Sequence, residues 1–223
     1  VIDLGNTALT LDFTPTSFSG DSSHPALTVS TGSLVLNGPL TVNNHAASPL
    51  GAGTYILISQ ASGSITGNPT FSGSVGGQGI EAGNFCFVRI VGGNLELVVQ
   101  SPVSTITTLA RDSGIPSSST YGDSLRFLVS VAPPTATGTV ELRNGGPQGT
   151  LLGAAALAGG SAVITVPGTA LAPGTHANLV ARYLGSASHL PGESPPLSPA
   201  QSVSARQLTI QGAAALDKYY DTT

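Results

Sequence analysis

In residues 125 to 131, Leu-Arg-Phe-Leu-Val-Ser-Val, the apolar side chains Leu125, Phe127, Val129 and Val131 recur at every second position. Successive side chains of an extended chain point to opposite sides, so this spacing gathers all four on one face, with Arg126 and Ser130 on the other. A helix would scatter them. The alternation returns at Val140 and Leu142, at Ala162, Ile164 and Val166, and at Leu179, Ala181 and Tyr183, with turn residues between. Strands that are apolar on one side need a second layer over that side. The pattern therefore predicts two sheets packed around one core and an all-β chain.

Composition agrees. The 29 Gly and 16 Pro supply frequent turns. Charged residues are only 8%, against about 25% in an ordinary globular protein. Disorder is not the reason, because disordered chains pair low hydrophobicity with high net charge, whereas this chain is 40% hydrophobic with a net charge of -4. The 223 residues suit one or two domains. Six scattered Arg and a single Lys cannot form the basic stripe that nucleic acid requires. No apolar run reaches the ~20 residues of a membrane-spanning helix, and no charged-then-apolar signal segment opens the chain. Together with the start at Val1 and the absence of Met, this reads as a fragment of a larger exported polypeptide, itself without membrane contact.

The clearest boundary is Gln100-Ser101-Pro102-Val103-Ser104, since Pro102 cannot donate to a strand ladder. It divides the chain into 1–100, 101–205 and a tail, 206–223. In the middle segment, Ser119-Thr120-Tyr121-Gly122-Asp123 leads into the first alternating strand, and Thr137-Gly138-Thr139-Val140 and Leu179-Val180-Ala181-Arg182-Tyr183 follow at the expected offsets. This segment resembles the bacterial immunoglobulin-like domain of the group 3 type, which implies a β-sandwich in a secreted or surface protein. Where relatives often read Tyr-x-Gly-Asp, this chain has Tyr183-Leu184-Gly185-Ser186, so any turn or ion contact of that aspartate is lost. The antibody-type Cys, Trp, Cys signature is also missing, and sheet packing must rest on apolar area.

The first hundred residues show short apolar pairs, Leu27 and Val29, Leu34 and Leu36, Leu40 and Val42. Repetition every six or seven residues predicts that these pairs stack into a ladder, as in a β-solenoid. In Gly53-Thr54-Tyr55-Ile56-Leu57-Ile58, Tyr55 and Leu57 share one face and Ile56 and Ile58 the other, which predicts a central strand buried on both sides. An open solenoid end recruits other chains unless covered, so a cap is expected. Residues 34 to 99, with Gly53-Thr54-Tyr55-x-Leu57-Ile58 and the closing Leu95-Glu96-Leu97-Val98-Val99, resemble the cap that follows passenger-associated strand repeats in autotransporters. In the tail, Leu208-Thr209-Ile210 and Lys218-Tyr219-Tyr220-Asp221 resemble the start of a YDG-type repeat, with Thr222 where Gly is usual.

Chemistry is sparse. Cys86 is the only cysteine, which rules out an intrachain disulfide and a multi-cysteine metal site. Alternation in Phe85-Cys86-Phe87-Val88-Arg89-Ile90 sets Cys86, Val88 and Ile90 on one face, predicting a buried, inert thiol. Gly77-Gln78-Gly79-Ile80-Glu81-Ala82 fits the dinucleotide pattern Gly-x-Gly-x-x-Ala, but strand-like residues follow it where a helix is needed, so it reads as a turn. His24, His45, His176 and His189 sit apart in turn-like settings and read as solvated. Asp12, Asp21, Asp112, Asp123 and Asp217 read as isolated, with no oxygen cage for calcium. Asp123 is expected to accept backbone hydrogen bonds in the Tyr121-Gly122-Asp123 turn.

No catalytic, cofactor-binding or metal site is therefore expected. The function that fits is a non-catalytic spacer in a large bacterial surface or secreted protein of the autotransporter or adhesin kind, extracellular or at the cell surface. The alternative is an accessory module that binds glycan or protein within a secreted polysaccharide-degrading enzyme. The expected partners are neighbouring domains of the same polypeptide, with a host or matrix glycan or protein under the alternative. A monomer is expected, although so few Lys leave the sheet edges lightly guarded against pairing.

Overall fold

The computed structural model describes residues 1–209 and Gly212, and strands joined by turns make up the described chain. It divides into two compact units: Val1–Thr105 with Gly185–Pro191, and Ile106–Leu184 with the residues from Gly192. The tail segment from Asp217 to Thr223, and Ile210 with it, lies outside the described residues.

The first unit contains β1 (Ile2–Asp3), β2 (Leu9–Phe13), β3 (Leu27–Val29), β4 (Leu34–Leu36), β5 (Pro39–Asn44), β6 (Gly53–Gln60), β7 (Ile65–Gly67), β8 (Thr70–Gly77), β9 (Phe85–Val91) and β10 (Asn94–Gln100). They form three sheets, ordered β1-β4-β7, β2-β5-β8 and β3-β6-β10-β9. The first two sheets and the β3–β6 pair are parallel. Leu27 lies opposite Ile58, Leu34 opposite Ile65 and Leu40 opposite Phe71. The same step of 31 residues joins the side chains of Thr28 and Ser59 and links Asn37 to the backbone of Asn68.

This corrects the expected ladder. The pairs at Leu27, Leu34 and Leu40 do not stack on one another but lie in strands of three different sheets. Six or seven residues is the length of a short strand plus its corner, so the short spacing measures the path around one turn of chain. The rise to the next turn takes 31. Glycine makes the tight corners possible. Gly63 has φ of 127°, and a Cβ there would collide with the Gly32 carbonyl of the turn before it.

β6 is central, between β3 and β10. Tyr55, Leu57 and Ile58 are fully buried and Ile56 is half-buried. Both sides of the strand are thus covered, and at the point where the β6–β10 register shifts between Leu95 and Glu96 the neighbours Leu57 and Ile58 are both buried. Beyond β6 the parallel order stops, because β10 enters antiparallel and β9 pairs with it as a hairpin.

The second unit contains β11 (Ile106–Arg111), β12 (Ser118–Thr120), β13 (Leu125–Ala132), β14 (Thr139–Asn144), β15 (Thr150–Ala156), β16 (Ser161–Val166), β17 (Gly174–His176), β18 (Leu179–Tyr183), β19 (Gly192–Glu193) and β20 (Gln201–Ser204). Every apolar residue that the alternation assigned to one face, from Leu125 to Tyr183, is buried in a single core. The sheets number three rather than two: β11-β13-β16, β15-β14-β18-β19, and β12-β20-β17. The third arises because β20 takes partners on both sides, parallel β12 and antiparallel β17. Each fully buried Leu, Ile, Val or Phe contributes roughly 1.5–3 kcal/mol relative to exposure, and this core has no disulfide to supplement it.

Candidate functional site

The densest polar cluster surrounds Asp21, between β2 and β3. Asp21 begins Asp-Ser-Ser-His, and short polar side chains in such a run bond the backbone just ahead. Its Oδ1 accepts from the backbone N–H groups of Ser23 and His24 and from the Ser23 hydroxyl. Its Oδ2 accepts from the N–H groups of Thr16 at 2.8 Å and Ser17 at 3.3 Å. The side chain is 2% exposed, and His24 Nδ1 lies 2.9 Å from Oδ2. Burial alone pushes this carboxyl up, but the hydrogen bonds from Ser23, Thr16 and His24 together outweigh it and hold the pKa well below the ordinary aspartate range.

Ser23, His24 and Asp21 thus meet, as in a nucleophilic triad, but in the wrong arrangement. A triad base needs one ring nitrogen for the serine and the other for the carboxylate. Here Ser23 Oγ, at 3.1 Å, and Asp21 both approach Nδ1, and the serine hydroxyl donates to the carboxylate itself. The cluster locks the connection between β2 and β3. Tyr55 assists from the core, its hydroxyl lying 2.7 Å from the Phe18 carbonyl and 2.9 Å from that of Gly51.

The other singled-out residues are dispersed, although fewer are isolated than the sequence suggests. Asp12 accepts from Asn43 at 2.7 Å and lies 3.2 Å from His45 Nε2. Asp112 pairs with Arg126 at 2.9 Å. Asp123 accepts the Thr120 N–H, as its turn demands, and also Arg206 Nη2 at 2.7 Å. His176 bridges the Asn144 side chain and the Ala172 carbonyl. His189, expected to be solvated, is buried beside the Ser186 and Ser188 hydroxyls. The turn after Tyr183 closes through Ser186 N–H and the His189 carbonyl in place of the missing aspartate. Among the described residues no three His, Cys, Asp or Glu side chains converge as metal ligands.

Cys86 is buried, its thiol donates to the Gly73 carbonyl, and burial pushes its pKa up. Gly77 ends β8, and Gln78 to Ala82 lies in the connection to β9, with Ile80 bridged to Leu50. The signals that alternation could not supply were local for Asp21, in its Asp-Ser-Ser-His run, and long-range for Arg206.

Arg206 completes a second arrangement. β12 and β20, near the two ends of the second unit, run parallel with Ser118 opposite Ser202 and Thr120 opposite Ser204. Ser202 N–H donates to Ser117 O and Tyr121 N–H to Ser204 O, each at 2.8 Å. Arg206 then reaches back to the Tyr121 carbonyl at 2.7 Å and to Asp123. Residues 113–203 match the family model of the bacterial Ig-like domain (group 3). The match takes in β12 to β19 and most of β20, somewhat under half of the chain. Domains of this kind are typical of non-catalytic modules in surface and secreted bacterial proteins. Comparison with curated proteins and with solved structures gives no match.

Proposed function

We propose that this chain is a non-catalytic, load-bearing spacer within a large bacterial surface or secreted protein, acting outside the cell. The observation that carries this reading is the parallel β12–β20 pair inside the Ig-like match. The chain runs into β12 from β11, which pairs antiparallel with β13, and leaves β20 toward Arg206. Tension that has drawn β11 away from β13 therefore pulls the two parallel strands β12 and β20 lengthwise past each other. All the bonds between them then stretch together, whereas a hairpin pulled from one end opens one bond at a time. Arg206, just beyond β20, adds two charge-assisted or backbone bonds in the same path.

The stacked parallel turns of residues 1–100, closed by the β9–β10 hairpin, favour a solenoid with a cap, in line with the passenger-like resemblance. Its natural partners are the adjoining domains of the same polypeptide.

Single-molecule pulling tests the reading. Stretched by its two chain ends, the second unit should unfold at a higher force than when one handle is moved to the exposed residue 158 through Ala158→Cys. Arg206→Ala should lower the end-to-end force and leave the other geometry unchanged. Equal forces in both geometries would overturn the proposal. Reproducible binding on a glycan array would instead favour the accessory-module alternative.

A further inference from the structure

Ser101-Pro102-Val103-Ser104-Thr105, the connector between β10 and β11, has the composition of a cleavable linker, with short polar side chains around a proline and Val103 50% exposed. Exposed segments of this kind are where chains are nicked. A protease takes such a segment as an extended strand and must reach its backbone N–H and C=O groups. In Val103 both groups are already engaged. Its N–H donates to the Ser188 carbonyl at 2.9 Å and its carbonyl accepts the Leu190 N–H at 2.9 Å, so that Val103 and His189 form a parallel bridge. Thr105 Oγ1 adds a bond to the Leu190 carbonyl at 3.0 Å.

The residues that engage it form a turn of their own. Gly185–Pro191 falls between β18 and β19 in sequence, yet it belongs to the first compact unit together with Val103 and Thr105. Gly185 opens the turn at a φ of 85°, where a Cβ would press on the His189 carbonyl at 3.1 Å. Ser186 N–H donates to that carbonyl at 2.9 Å, and the Ser186 and Ser188 hydroxyls lie 3.4 and 2.9 Å from Nδ1 of the buried His189. With His189 anchored in this way, the backbone groups of Ser188 and Leu190 on either side of it meet Val103.

We propose that Gly185–Pro191 is a latch over this connector, which holds Val103–Thr105 as a paired strand and so denies the junction to proteases. Two of its three bonds run from backbone to backbone, so the connector keeps its exposed side chains and is still closed to cleavage. Access then requires local unfolding of the turn. The latch stands independently of the spacer reading, since it acts whether or not the chain carries load.

Native-state proteolysis of the intact chain by thermolysin, with the cuts located by mass spectrometry, tests it. When a segment opens and closes faster than it is cut, the rate of cutting reports the open fraction. Leu190→Pro removes the N–H that the Val103 carbonyl accepts, and it should raise cutting within 101–105 about tenfold. Thr105→Val removes only the hydroxyl and should raise it about threefold, which keeps the test decisive where the proline loosens the fold at large. Cuts elsewhere in Thr105→Val should keep the parent rate. Hydrogen exchange should find the Val103 amide protected in the parent and released in Leu190→Pro. A Val103 amide that exchanges freely in the parent, cutting within 101–105 of the parent as fast as in an unpaired peptide, or rates that neither substitution raises would each overturn the proposal.

Discussion

Phe127→Ala should unravel the second unit and spare the first. Phe127 is fully buried in β13, between Arg111 of β11 and Ile164 of β16. An aromatic side chain buries about 150–250 Å², which at about 25 cal/mol per Å² is roughly 4–6 kcal/mol. Alanine retains only the Cβ. The cavity left behind adds to the lost transfer term, and Phe→Ala substitutions in cores cost about 3–5 kcal/mol. Against a total stability of about 5–15 kcal/mol this is a large fraction. With each kcal/mol moving Tm by about 4–8 °C in a domain of this size, the midpoint should fall by about 12 °C or more. Calorimetry on the intact chain reads the midpoint, and hydrogen exchange by mass spectrometry assigns it to residues. Protection should collapse in peptides from 106–184 and persist in those from 1–105. Val163, beside Ile164 on the same strand but 38% exposed, is the control. Val163→Ala should stay within about 0.5 kcal/mol of the parent. Equal effects of the two substitutions, or an unmoved midpoint for Phe127→Ala, would refute the assignment of a single core behind that face.

Asp21→Asn should destabilise the first unit by about 1–3 kcal/mol at pH 7, as measured by denaturant titration. Because the folded pKa of Asp21 lies below its unfolded value, its contribution is whole above about pH 4 and is lost as pH falls through the folded pKa. The gap between parent and variant should therefore narrow in acid, and a gap independent of pH would count against the cage. Gly63→Ala places a Cβ against the Gly32 carbonyl at a positive φ. The expected loss is about 1–3 kcal/mol or more in the first unit, and unchanged thermal melting would contradict the stacked corner. Cys86 should resist thiol reagents at pH 7 until the first unit is unfolded, since burial both hides the thiol and disfavours the thiolate. Rapid labelling of the folded chain would disprove that packing.

The second unit was legible because each main strand has one buried side, which writes itself into sequence as alternation; Leu125 to Val131 and Ala162 to Val166 needed nothing more. The first unit was harder. Parallel stacking joins residues 31 apart, and no short window contains both partners. A trace is visible once the step is known: Gly32-Ser33-Leu34 against Gly63-Ser64-Ile65, with Asn37 against Asn68. Three short apolar pairs are too few to reveal it, and their spacing follows the chain from one sheet to the next and not the 31-residue step. The Asp21 cage escaped because Thr16 and Ser17 precede the carboxylate on the far side of a loop. The pairing of Arg206 with Tyr121 and Asp123 has no local sequence signal, being a consequence of where β20 ends.

The 31-residue step also behaves like a reading frame. It lengthens at Asp21–Tyr55 and again at Val42–Val75, and it shortens at Leu50–Ile80, yet it returns to the same value at Leu27–Ile58. Extra residues are thus absorbed in the connection near Asp21 or in the irregular middle of β8. The connection from Asn44 to Leu50 is a further outlet, being longer than its counterpart from Gly77 to Ile80. A deletion between Leu34 and Leu40 has no such outlet, since it would carry those residues out of line with Ile65 and Phe71. Descendants of this sequence should accordingly vary in length around Asp21, between Asn44 and Leu50 and at Ser72–Ser74, and should hold their length between Leu34 and Leu40.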